Sequence, residues 1–161
     1  MMDAFRKMRR FRQEISRQEC IEVLKSAPRG IMAFHGENGY PYAIPLNQYY
    51  DESDGKLYFH GAGEGLKAEL AARNSKVCFT VMDEGFRKPG DWALNIKSVV
   101  CLGRLEPVTD RETVLAQCRK LALKFYPTRE AAEEEVRKAA DRVHVYAMTI
   151  DRMTGKLVNE S

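Results

Sequence analysis

Short apolar runs separated by hairpin-type turn signals fill the first half of the chain, and they restrict it to strands that double back on themselves. GIMAFHG (30–36) is followed by ENG, then by the long run YPYAIPLNQYY (40–50). Asp54-Gly55 makes the next tight turn, and KLYFH (56–60) follows it. Alternating or continuous apolar runs bounded by Asn-Gly and Asp-Gly pairs are the sequence form of antiparallel hairpins.

SKVCFTVM (75–82), NIKSVVCLGRLEPV (95–108) and RVHVYAMTI (142–150) add three more strands. The middle one is nearly continuous in apolar residues, which predicts burial on both faces. Helices come at defined places. SRQECIEVLKSAP opens with a capping box, Ser16 with Glu19, and stops before Pro28; Ile21 and Leu24 share its buried face, with Cys20 beside them. A helix over 64–73 carries Leu66 and Leu70 on one face and ends at Asn74. A second capping box, Thr109 with Glu112, starts a helix with Val114, Leu115, Cys118, Leu121 and Phe125 inward. Pro127 ends it, and Thr128 caps a further acidic helix. The fold class is therefore mainly β with helices (α+β). About six antiparallel strands in a small barrel, with helices at its edge, suit this order better than a parallel doubly wound sheet.

With 161 residues, 44% of them hydrophobic and 30% charged, the chain is expected to form one domain over 1–161. It has no apolar run of membrane-span length and no signal-peptide core, which predicts a cytoplasmic protein without a membrane partner. Cys20, Cys78, Cys101 and Cys118 are scattered among apolar neighbours with no C-x-x-C pair, the pattern of buried free thiols. His35, His60 and His144 lack ligand spacing, so no metal site is expected. A net charge of +3 is too small to argue for nucleic acid. The basic residues do concentrate in FRKMRRFR (5–12), within an N-terminal arm (1–13) expected to be solvated and partly mobile.

LYFHGAGEGLKAEL (57–70) ends a strand in a histidine, places glycines at 61, 63 and 65, and then starts a helix carrying Lys67. It fits neither G-x-G-x-x-G in a parallel βαβ unit nor the P-loop, since Leu66 separates Gly65 from Lys67 and no hydroxyl follows the lysine. The physics behind those motifs still holds. Glycines let backbone N–H groups approach an anion, and a helix N-terminus favours one. Lys67 in the first turn opposes the helix dipole unless an anion lies between them. A plain glycine-rich turn with a solvated lysine accounts for the same residues. His60 is either a hydrogen-bonded residue at a strand end or a group able to carry a proton beside the cradle.

Taken in order, YAIPLNQYY, LYFHGAGEGLKAELAARNSKVCFTV and SVVCLGRLEPV resemble the FMN-binding split-barrel proteins related to pyridoxamine 5′-phosphate oxidase. The likeness is greatest to the 5-nitroimidazole-resistance group, whose members also begin with a segment like MRRFRQEI and end with one like MTGK. This resemblance implies a six-stranded antiparallel split barrel that pairs as a homodimer, with FMN in a groove at the subunit interface. It implies flavin-ring contacts from Pro45, Leu46 and Asn47. His60, Gly61 and Ala62 would run under the ribityl and phosphate region, and Lys67 would hold the phosphate. Ser98 and Val99 would touch the flavin from the start of another strand. Three features of the pyridoxamine oxidases are missing: the arginine beside the phosphate lysine, the arginine-lysine-rich segment where this chain has YAIPLNQYY, and the C-terminal tryptophan-and-arginine segment, since Trp92 lies mid-chain. Pyridoxine phosphate is accordingly not the expected substrate, and flavin binding is expected to be weaker.

The function implied is an FMN-dependent oxidoreductase. NADH or NADPH would deliver hydride and leave, and a small organic acceptor such as a nitroaromatic would then use the same face. His60 would be the catalytic acid or a substrate-orienting donor. A flavin- or haem-binding sensor or carrier without turnover is the alternative from another class. Nucleic-acid binding through the basic arm is a third, disfavoured by the lack of aromatics interleaved with that run.

Overall fold

Seven strands among the described residues, 5–160 of this computed structural model, hydrogen-bond into one antiparallel sheet. In chain order they are β1 (Gly30–His35), β2 (Pro41–Leu46), β3 (Tyr49–Asp51), β4 (Lys56–Gly61), β5 (Lys76–Met82), β6 (Asn95–Pro107) and β7 (His144–Asn159). The order across the sheet is β2-β1-β5-β6-β7-β4-β3, and it curls into an antiparallel split barrel. Four α-helices accompany it: α1 (Arg17–Ser26), α2 (Leu66–Arg73), α3 (Arg111–Phe125) and α4 (Arg129–Ala139).

Local signals locate most of these elements. Ser16 and Glu19 cap α1 reciprocally. Asn38 and Gly39 both take positive φ in the turn joining β1 to β2, as a tight hairpin requires. Thr128 caps α4 through the Ala131 amide. The cap of α3 is Asp110 rather than Thr109: its carboxylate accepts from the Thr113 amide at 2.9 Å. A carboxylate at this position also complements the helix dipole.

Three further expectations are corrected. The run 40–50 is two strands, which raises the count from six to seven. It breaks at Asn47 and Gln48, where side-chain amides bond the end of α1 instead of continuing a ladder. Asn47 Nδ2 donates to Pro28 O at 2.9 Å, and Gln48 Nε2 donates to Leu24 O at 3.1 Å and Ala27 O at 2.9 Å. Gln48 is fully buried, so these bonds replace lost water. The final strand runs on past residue 150 to Asn159, so MTGK belongs to the sheet. β6 is buried on one face only: Val99 and Cys101 are inaccessible, whereas Val100 is 37% exposed.

The main core lies inside the barrel and under α1. Phe59 meets Phe79 edge-on with centroids 5.0 Å apart, and Leu24, Met32, Leu57, Val99 and Met148 surround them. A second core forms where α3 and α4 cover the other face of β4, enclosing Tyr58, Val114, Cys118, Val136 and Val145. β4 is thus covered on both faces. Asp51 on β3 ties α3 down, accepting from Gln117 at 3.0 Å and Lys120 at 2.6 Å. Outside the barrel, Ile31, Thr80 and Val100 form one cross-strand row, and Ala33, Cys78 and Leu102 form the next. Phe5 of the basic arm lines an open cavity together with that second row, with the Arg152 guanidinium 5.5 Å from its ring. Residues 11–13 form a 3-10 turn, and Glu14 bridges to Lys156, so the arm from Phe5 onward is laid on the sheet. Residues 1–4 fall outside the described part.

Candidate functional site

β4 delivers His60 and Gly61 to the point where the chain leaves the sheet, because pairing with β7 sets His60 opposite Val145 and Gly61 opposite His144. The loop then turns into α2, whose N-cap is Gly65 at φ +100°, a conformation that favours glycine. No side chain caps this helix start, so its first backbone N–H groups keep their hydrogen-bonding capacity.

Lys67 leans back over the loop, and a Cβ added at Gly61 would overlap its ammonium. The Nζ lies 5.5 Å from the Tyr146 ring centroid. Among the described residues no carboxylate pairs with it, and burial lowers its pKa. A half-buried cation, free helix N–H groups and three glycines therefore converge on one small space. Glu64 of the loop and Glu69 of the first turn do not pair with Lys67, Glu69 bonding Arg73 instead, and the arrangement has the donors to hold an anion. Ala62 is exposed in the same loop, and its carbonyl accepts from the Tyr146 hydroxyl at 3.5 Å.

His60 retains solvent contact, yet desolvation, and then the Lys67 ammonium, push its imidazole below the ordinary histidine pKa. It is therefore neutral at pH 7. His60 and Asn47 both line a cleft of about 420 Å³ whose other walls come mostly from α3 and α4, with Arg29, Tyr126 and Val143. Lys124 on α3 fixes that geometry, donating to Ala27 O and Gln48 O, both at 2.8 Å. This amine is desolvated, which lowers its pKa to about 8.

Pro45 and Leu46 close β2 opposite Ile31 and Gly30 and lead into Asn47; Pro45 is exposed and Leu46 packs on the core. Within one chain, Ser98 and Val99 are not brought to His60. Ser98 pairs with Lys156 while His60 pairs with Val145, near opposite ends of β7. Three neighbours of the site were not read from the sequence. His144 crowds Gly63, where an added Cβ would strike its ring, Tyr146 faces Lys67, and Arg29 lines the cleft. The alternation in RVHVYAMTI gave a signal for a half-covered strand, but none for which strand it would join.

Among solved structures, the fold is similar to that of a protein named for 5-nitroimidazole antibiotic resistance from Bacteroides thetaiotaomicron. The TM-score is 0.74 at 23% identity, over 91% of this chain and 87% of that one. It is also similar to a flavocytochrome from Azotobacter vinelandii, with TM-score 0.73, 20% identity and coverage of 94% and 72%. A FAD and heme binding protein from Mycobacterium smegmatis gives TM-score 0.72, 21% identity and coverage of 92% and 74%. No curated protein matches the chain. The family model described as pyridoxamine 5′-phosphate oxidase matches residues 16–157, nearly the whole sequence, and the protein belongs to that family.

Proposed function

We propose that the protein is an FMN-dependent oxidoreductase that passes electrons from NADH or NADPH to a small organic acceptor, with nitroaromatics among the candidates. The observation that carries this reading is the unpaired Lys67 ammonium held over Gly61 at the uncapped start of α2. A terminal phosphate would complement that charge and those donors. Lys67 and the backbone from Gly61 through Ala62 would bind it. Pro45, Leu46 and Asn47 would border the flavin ring. Bound there, the flavin supplies hydride acceptance and donation.

His60, neutral at pH 7, serves better as an N–H donor that orients an acceptor oxygen than as a charged acid. Ser98, and Val99 through its backbone alone because its side chain is buried in the core, would complete the site from a second copy of the chain, which makes the working unit a homodimer with a shared groove. The outward rows of Ile31, Val100, Ala33 and Leu102 give such a pair an apolar face to bury. Similarity to proteins named for flavin binding and for nitroimidazole resistance supports the cofactor class and the acceptor class respectively.

The similarity to heme-binding proteins keeps a second reading, a carrier without turnover. One experiment separates them: titrate the purified protein with FMN, FAD and haem, then follow NADH and NADPH oxidation with artificial acceptors. Tight FMN binding with acceptor-dependent oxidation supports the enzyme. Binding without oxidation supports the carrier.

A further inference from the structure

We infer that the cleft between α3, α4 and the His60 end of β4 binds an uncharged, flat molecule of two or three fused rings bearing carbonyl or nitro oxygens. This deepens the function proposed above and rests on it for the role of that molecule, the electron acceptor.

Size argues first. The cleft, partly open to solvent, offers about 420 Å³, inside the range of about 300–1,000 Å³ typical of small-molecule sites and more than a single five-membered ring fills. Its walls argue next. Leu121 and Ala122 on α3 and Val136 on α4 make an apolar floor, and Phe125, 41% exposed, leaves part of its ring open at the mouth. Exposed aromatic surface beside an apolar slot suits a flat partner.

The polar groups then set the charge. Asn47 and His60 both line the cleft; Asn47 carries no charge, and burial with the Lys67 ammonium favours the neutral form of His60. Asn47 uses one N–H on Pro28 O, which leaves its second N–H and its carbonyl oxygen. Arg29 and Glu135 also line the cleft, with opposite signs. An ion would gain from one and lose to the other, whereas neutral acceptor oxygens need only the donors on Asn47 and His60. Reducing such a molecule takes two electrons and two protons. The reduced nicotinamide would supply both electrons and one proton as a hydride equivalent, with a bound flavin as the carrier; the second proton would come from solvent by relay, the His60 N–H passing to the acceptor oxygen as the other ring nitrogen takes a proton from water.

The test uses menadione, an uncharged two-ring quinone, in equilibrium dialysis against the full chain with and without saturating FMN. Stoichiometric binding under both conditions is expected. Ala122→Phe, which fills the floor, should weaken it by about tenfold or more while FMN affinity stays unchanged. Phe125→Ala, at the mouth and removing rather than adding volume, should weaken menadione several-fold and serves if Ala122→Phe does not fold. Wild-type menadione affinity in a folded variant would overturn the proposal. So would complete exclusion of menadione by FMN, which would assign the cleft to the flavin itself. If FMN does not bind at all, the proposed function fails, and the flavin-free titration still decides the cleft.

Discussion

The ammonium of Lys67 occupies the space that a side chain at Gly61 would take, so the absence of a side chain at 61 is what lets this cation lie over the uncapped start of α2. Lys67→Ala should weaken FMN by about 1.5–3 kcal/mol, the worth of a charge-assisted contact. Riboflavin, which lacks the phosphate, should lose almost nothing. Gly61→Ala should weaken FMN as well, with little change in melting temperature, because the obstructed atom is the far end of a flexible side chain. Fluorescence titration of both ligands checks these outcomes, and equal losses for FMN and riboflavin would remove the phosphate from this helix start.

His60 should report what binds at that helix start. Burial and then the Lys67 charge depress its pKa in the free protein. A phosphate placed against Lys67 adds negative charge, which favours the imidazolium, so FMN should raise the His60 pKa and riboflavin should raise it less. Lys67→Met should also raise it by removing the repulsion. The ring proton chemical shift followed against pH gives each value directly.

In turnover, His60→Ala should leave the FMN dissociation constant within a few-fold of wild type while slowing transfer to a proton-requiring acceptor by about 10²–10⁴-fold. Hydride transfer from the nicotinamide should change little. Stopped-flow measurement of the two half-reactions separates these steps. His60→Gln, which keeps an N–H donor, should recover part of the rate if orientation is the main role. Wild-type rates in both halves would make His60 structural.

Ile31, 41% exposed on the outward face, lies across Thr80 from Val100. If this face joins two copies, Ile31→Arg should give a monomer by light scattering at micromolar concentration and weaken FMN in parallel, since Ser98 and Val99 would no longer reach the partner's groove. A wild-type protein that is monomeric with FMN present would exclude the shared site.

Lys124 gives a pH dependence with a definite sign. Its folded pKa of about 8 lies below the unfolded value of about 10.4, so between them the unfolded chain binds more protons. This contribution must make stability rise with pH across that window, as the penalty for a desolvated ammonium is relieved. Denaturant midpoints measured from pH 7 to 10.5 should show the rise, and Lys124→Met should flatten it.

What could be read from the chain follows the range of the forces involved. Ser16 with Glu19, Asn38 with Gly39, and Lys67 near Gly61 act within a few residues, and each was legible. The break after Leu46 was not, because apolar residues continue through Tyr49 and Tyr50 while the cause is Gln48 reaching carbonyls of α1. The open face of β6 was equally hidden, since an apolar run looks the same whether a helix or a second molecule covers it. His144 and Tyr146 reached the glycine loop only through a strand pairing between distant parts of the sequence.

That pairing also sets when the site can exist. β4 borders only β3 and β7 in the sheet, and β7 supplies the His144 and Tyr146 that wall the glycine loop. During synthesis the segments holding Asn47, His60 and Lys67 leave the ribosome long before β7 does, and contacts of such sequence separation form late. A nascent chain halted before residue 144 would contain each proposed phosphate- and ring-binding side chain inside the cleft and cradle, yet lack the strand that holds them in place. Capture of a ligand at the proposed site would therefore follow the docking of β7, and a bound cofactor would stabilise only copies in which that strand has docked.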